Sequence, residues 1–255
     1  MFEPTFYFSV LGIMIVLAVI VFIALHYITP GYGMMYNSKW GPTVGNRCGW
    51  VMMETPAFAA MLLLWIFSPH SASPAPAVMA SLFLLHYFQR SFIFPMLIRG
   101  KNRMPLVIIL LGILFNVVNA YMIGGWIFYL GADSYPESWL WSPLFILGTL
   151  IFFVGMAINL TSDRIIRHLR KPGDTRHYIP RGGMFRYVTS ANYLGEFTEW
   201  VGYAILTWSL GGLAFAFWTF ANLAPRARSL HNRYVKEFGD EYASLGRKYI
   251  LPFIY

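Results

Sequence analysis

Three glutamates, Glu54, Glu196 and Glu199, stand inside otherwise apolar stretches, each at helical spacing from other polar groups. Glu54 follows Trp50 by four residues, which puts both on one helix face with Met53 alongside. His86, Tyr87 and Arg90 make a second polar stripe, Asn159, Asp163, Arg167 and Arg170 a third, and Asn192, Glu196 and Glu199 a fourth. An acid inside a membrane span costs roughly 2.5–3.5 kcal/mol on insertion scales, so each needs a reason. A Glu–Arg tie, or a helix pair such as Asp163 with Arg167, would serve structure alone. Four stripes on four separate helices instead predict a shared polar cavity.

The chemistry open to such a cavity is narrowed by the rest of the sequence. The six histidines, at 26, 70, 86, 168, 177 and 231, show no metal-ligand spacing, and Cys48 is the single cysteine, so no metal site is expected. There is no Gly-x-Ser-x-Gly nucleophile elbow. Gly31-Tyr32-Gly33 lacks the third glycine of a dinucleotide fingerprint and precedes no alternating strand and helix, which excludes a soluble Rossmann domain. Arg, Lys, Asn and Tyr nevertheless crowd the basic ends of the later helices. They suit a polyanionic ligand such as a dinucleotide phosphate, which the planar guanidinium fork binds best.

The elements that must hold these residues are membrane helices. The 255 residues are 57% hydrophobic and 18% aromatic, with 19 Lys and Arg against 11 Asp and Glu. That balance is too apolar for a soluble domain and leaves little solvated basic face for nucleic acid. Seven spans are expected, at about 5–28, 49–67, 77–98, 105–130, 141–160, 187–208 and 213–232, in one domain covering 1–255. Arg99, Lys101 and Arg103 fill one short loop, Arg164 to Arg186 is strongly basic, and so is the tail from Arg226 to Lys248. The loop from Ala132 to Ser138 carries only acids. The positive-inside rule then puts the basic segments and the C-terminus in the cytoplasm. The expected fold is an all-α, multi-pass integral membrane protein, in a bacterial inner membrane or the endoplasmic reticulum, whose seven helices enclose a cofactor and substrate cavity.

Several runs carry a family resemblance: Asn159-Leu160-Thr161-Ser162-Asp163 on to Leu169-Arg170-Lys171-Pro172-Gly173, Ile179 to Phe185, Ala191-Asn192-Tyr193-Leu194-Gly195-Glu196, Glu199-Trp200 and the closing Ile250 to Tyr255. With His86-Tyr87-Phe88, Arg90, His231 and Tyr234, they resemble the steroid 5α-reductase family, the 3-oxo-5α-steroid 4-dehydrogenases. The resemblance implies a seven-helix reductase that uses NADPH to saturate the 4,5 double bond of a 3-oxo-4-ene steroid. It places the catalytic carboxylate on Glu54 and the catalytic tyrosine on Tyr87. It places cofactor contacts on Tyr32, Trp50, Arg90, Lys101, Asn159, Asp163, Arg170, Asn192, Glu196, Arg226, His231 and Tyr234, and a substrate wall on Trp50, Met53, Glu54 and Tyr87. Two residues depart from the pattern: Met53 stands where steroid-reducing members have Gln, and Lys101 where Arg is usual.

The residues fit that chemistry on physical grounds. Hydride addition to an enone builds negative charge on the carbonyl oxygen, and donors aimed there lower the barrier. Tyr87 has a phenol proton to give, and Glu54 can donate when neutral, the form a dry site favours. Rival readings are a reductase of another lipid enone, an S-adenosylmethionine-dependent membrane methyltransferase, and a lipid or steroid carrier.

Overall fold

The computed structural model describes residues 2–28, 31, 38–100, 102–171, 174 and 176–255. Five helices are long and apolar enough to cross a membrane: α1 (Pro4–Tyr27), α2 (Asn46–Ile66), α3 (Pro74–Leu97), α4 (Leu106–Leu130) and α5 (Pro143–His168). Two more follow, α6 (Ala191–Thr207) and α7 (Leu210–Phe238), then a short α8 (Asp240–Ala243). α6 has only 17 residues and includes two glutamates, while α7 contains Asn222, Pro225 and a basic run from Arg226. Neither matches the first five in length and apolarity together. The chain is thus an all-α membrane protein in which five spans are secured by length and composition.

α1 is apolar all round, as a helix facing lipid must be. Its inward face is a stripe of Tyr7, Leu11, Met14 and Ala18. The Tyr7 hydroxyl donates to the Met122 carbonyl at 2.8 Å, and Trp218 Nε1 on α7 donates to the Met14 carbonyl at 2.6 Å. Glu3 caps the helix, accepting from the Thr5 and Phe6 amides at 3.0 and 2.8 Å.

Two features missing from the hydrophobic pattern set the ends of the site helices. A small antiparallel ribbon joins β1 (Thr43–Gly45) to β2 (Arg103–Pro105), pairing Thr43 with Pro105. It ties the start of α2 to the start of α4, and Arg103 clamps it through Thr43 Oγ1 at 2.6 Å and the Thr43 carbonyl at 2.7 Å. α3 widens into a π turn over Gln89–Ile93, where the Phe94 amide bonds back five residues to Gln89. The cause is Pro95, which lacks an amide proton and whose ring would strike the carbonyl four residues earlier. The π turn carries Arg90.

The most extensive helix contact is between α5 and α6. Glycines recur seven residues apart on each helix, Gly148 and Gly155 facing Gly195 and Gly202. A Cβ on Gly155 would lie 2.2 Å from the Glu199 amide nitrogen, and one on Gly195 2.3 Å from that of Asn159, so the two backbones touch. Lipid chains are as apolar as leucine, and such close van der Waals packing is what holds membrane helices together. α6 and α7 are joined at Trp208, in the left-handed region with φ 44°, and Ser209, whose hydroxyl accepts from the Gly212 amide at 3.0 Å. Gly211 and Gly212 therefore lie in the first turn of α7.

Candidate active site

Glu54 on α2 and Tyr87 on α3 meet through one residue of α4. Asn116 Nδ2 donates to Glu54 Oε2 at 3.1 Å and to the Met53 carbonyl at 2.7 Å, while Asn116 Oδ1 accepts from the Tyr87 hydroxyl at 3.2 Å. Because the Met53 carbonyl can only accept, the amide nitrogen must face it, which leaves Oδ1 for Tyr87. One turn further along α4, Asn119 Nδ2 donates to the Tyr87 oxygen at 3.3 Å. That donation strengthens the phenol as a proton donor, since hydrogen bonds in a chain polarise one another. Sequence reasoning missed both asparagines, although two amides three residues apart in the apolar run of α4 were a legible signal. Met53 turns toward α4, filling the space over Gly112 and clustering with Met104 and Ile109.

A second node forms around Arg90. Its Nη1 lies 3.4 Å from Asp163 Oδ2 on α5 and its Nη2 3.3 Å from Glu196 Oε2 on α6, so one buried guanidinium links three helices. The Trp50 and Phe94 rings flank it, with centroids 4.7 and 4.4 Å from its central carbon. Asn159 Nδ2 donates across the glycine seam to the Asn192 carbonyl at 3.0 Å. Deeper in α6, Glu199 pairs with His86 Nδ1 at 2.9 Å, and Trp200 packs edge-on against that imidazole. Trp50, Glu54, Tyr87, Arg90, Asn159, Asp163, Asn192 and Glu196 are thus gathered where α2 to α6 converge.

The remaining expected residues lie toward the basic end. Arg226 on α7 donates to the Tyr193 hydroxyl at 3.3 Å. His231 Nδ1 lies 2.9 Å from Thr189 Oγ1, and Tyr234 stacks on Tyr242 with ring centroids 5.1 Å apart. Arg170 lies just past the C-terminal end of α5. Tyr32 and Lys101 fall outside the described residues. Among the described residues, no three His, Cys, Asp or Glu side chains gather as a metal site.

The donor set fits a nicotinamide dinucleotide. Asn119 Oδ1 and Ser91 Oγ are buried without a hydrogen-bond partner among the described residues, although Asn119 bonds to Tyr87 and Ser91 follows Arg90 in the chain. Buried polar atoms are nearly always paired, so such a group marks a place for a polar ligand. The carboxylate-rich node at Arg90 suits an amide and a ring, and the arginines at the basic end suit phosphates.

Comparison with known proteins shows the family. Residues 102–255 match a family model described as 3-oxo-5-alpha-steroid 4-dehydrogenase. The chain is 38% identical to steroid 5-alpha-reductase DET2 of Arabidopsis thaliana, over 91% of this chain and 90% of that one. It is 41% identical to 3-oxo-5-alpha-steroid 4-dehydrogenase 1 of Homo sapiens, over 83% and 81% of the two chains. With 3-oxo-5-alpha-steroid 4-dehydrogenase 2 of Sus scrofa it shares 40% identity over 91% of each. The chain belongs to the 3-oxo-5-alpha-steroid 4-dehydrogenase family, membrane oxidoreductases that act on CH–CH groups with a nicotinamide cofactor.

Proposed function

We propose that this protein uses NADPH to reduce the 4,5 double bond of a 3-oxo-4-ene steroid, with Glu54 and Tyr87 polarising the 3-keto oxygen. The observation that carries this reading is the way the acids of the cluster are partnered. Asp163 and Glu196 share Arg90, and Glu199 has His86, whereas Glu54 has no ion-pair partner among the described residues and is held by the Asn116 amide. A half-buried carboxyl group held by an amide and not by an ion pair can keep its proton, and a neutral carboxyl group is a donor.

The cofactor supplies hydride for the β-carbon of the enone. Glu54 and Tyr87 hold their protons toward the carbonyl oxygen as charge builds on it, and the α-carbon takes a proton from solvent or a nearby group. Tyr87 must release Asn116 Oδ1 to do so, and the Asn119 bond to its oxygen keeps the ring oriented meanwhile. Asn192 and Glu196 would offer a donor and an acceptor for the carboxamide. Arg170, Arg226 and Lys101 are assigned to the phosphates, and Trp50, Met53, Glu54 and Tyr87 to the steroid side. Tyr32, Arg90, Asn159, Asp163, His231 and Tyr234 complete the cofactor set. α6 and α7 are proposed as the sixth and seventh spans, with the C-terminus cytoplasmic.

Purified protein in nanodiscs, given NADPH and a 3-oxo-4-ene steroid, should yield a product two mass units heavier. Glu54→Gln and Tyr87→Phe should each lower kcat at least 100-fold, about 2.7 kcal/mol of barrier. Near-normal turnover by both variants would refute the assignment.

A further inference from the structure

Away from the helix cluster, a cavity of about 730 Å³ opens between the segment before α6 and the chain after α8. Arg181, Gly182, Gly183, Arg186 and Tyr187 line one side, and Ser244, Leu245 and Arg247 the other. Its walls are stitched together by backbone hydrogen bonds, Lys248 amide to Tyr187 carbonyl at 3.0 Å and Thr189 amide to Lys248 carbonyl at 2.8 Å. The cavity is therefore fixed in shape.

Its charge is lopsided. Arg247 is only 7% exposed, and its Nε and Nη1 have no hydrogen-bond partner among the described residues. Its central carbon lies 5.7 Å from the centroid of the Tyr242 ring, which gives a weak cation–π contact and no counter-charge. Burial holds this guanidinium below the ordinary arginine range, with Arg181 adding repulsion. At the rim, Glu241 pairs with Arg181 at 3.0 Å, while neither Arg186 nor Arg247 has an ion pair among the described residues. A buried arginine in a basic cavity asks for an anion, and a phosphate matches its fork.

What lies beside the cavity identifies the bearer of that phosphate. Tyr187 packs on Phe253 with ring centroids 5.6 Å apart, and Phe253 and Ile254 are 79% and 77% exposed. Apolar side chains so bare, next to a basic cavity and outside the spanning helices, suit the headgroup level of a bilayer.

We propose that this cavity binds the phosphate headgroup of an anionic membrane lipid, with Arg181, Arg186 and Arg247 at the phosphate and Tyr187, Phe253 and Ile254 against the acyl chains. The cavity shares no residue with the cofactor set, although Tyr242 lies between Arg247 and Tyr234, and the proposal does not depend on the reductase reading.

Delipidated full-length protein, titrated with phosphatidic acid, phosphatidylcholine or inorganic phosphate and read by native mass spectrometry, tests it. Wild type should retain one phosphatidic acid at least tenfold more tightly than phosphatidylcholine, and inorganic phosphate should not displace it. Arg181→Gln with Arg186→Gln should weaken that retention at least tenfold. Arg164→Gln with Lys236→Gln, which removes equal charge elsewhere, should not. Arg247 variants can fail to fold, so the exposed pair carries the test. Equal retention by the Arg181/Arg186 variant and wild type would overturn the proposal. So would inorganic phosphate binding as tightly as the lipid, or a parallel loss of NADPH binding in that variant.

Discussion

Replacing Asn116 tests the catalytic arrangement without touching either catalytic side chain. Leucine has nearly the same volume, so Asn116→Leu removes three hydrogen bonds and leaves little void: Tyr87 to Oδ1 at 3.2 Å, and Nδ2 to Glu54 at 3.1 Å and to the Met53 carbonyl at 2.7 Å. Two of these orient the catalytic pair. At about 1 kcal/mol each, their loss raises the barrier by about 2 kcal/mol, or about 30-fold in kcat. KM for steroid and NADPH should stay within about twofold, because Asn116 is a positioning residue with no assigned ligand contact. Asn116→Asp keeps the acceptor for Tyr87 but can donate to Glu54 only when protonated, so its activity should climb as pH falls while that of Asn116→Leu does not. Steady-state kinetics across pH in nanodiscs would read both. Wild-type kcat in Asn116→Leu, or identical pH profiles for the two variants, would refute the reasoning.

Other outcomes follow from the same geometry. Gly155→Leu puts a side chain where even a Cβ sits 2.2 Å from the Glu199 nitrogen, so α5 and α6 must part. A loss of about 3 kcal/mol or more is expected, read as lower Tm and weaker NADPH binding together. Arg170→Gln should narrow the preference for NADPH over NADH at least tenfold in kcat/KM, with NADH turnover nearly unchanged. The Asp174 carboxylate is held below its ordinary value of 3.8 by hydrogen bonds from the Arg176 side chain, Tyr178 and the Arg176 amide. Its lowered folded-state pKa contributes stability above 3.8 that fades as pH falls further. The Tm gap between wild type and Asp174→Asn should therefore narrow below that pH.

The long apolar runs announced the first five helices because a span is a property of composition over about 20 residues. The stripes of Trp50 with Glu54, Tyr87 with Arg90, and Asn192 with Glu196 were legible because a helix repeats within one segment. What connects the segments was not. That Arg90 divides itself between Asp163 and Glu196 depends on the π turn made by Pro95 and on the glycine seam, both of them relations in space. The packing of Met53 over Gly112 was likewise not legible, because it is a relation between α2 and α4. The ribbon of β1 and β2 is three residues on each side, too short for alternation to show.

The partnering of the acids also explains why an amide, rather than a cation, stands beside Glu54. A lysine at 116 could still donate a hydrogen bond, but its charge would hold Glu54 ionised, and an ionised carboxylate has no proton to offer the ketone. Asn116→Lys should then be slower than Asn116→Leu, despite restoring a donor at the same point. Infrared difference spectra give an independent readout, because the carbonyl stretch of a neutral carboxylic acid is distinct from the carboxylate bands. That signal should be present in wild type, absent in Glu54→Gln and absent in Asn116→Lys. If it persisted in Glu54→Gln, the neutral acid would be another residue, and Glu54 would act as a fixed charge instead of a donor.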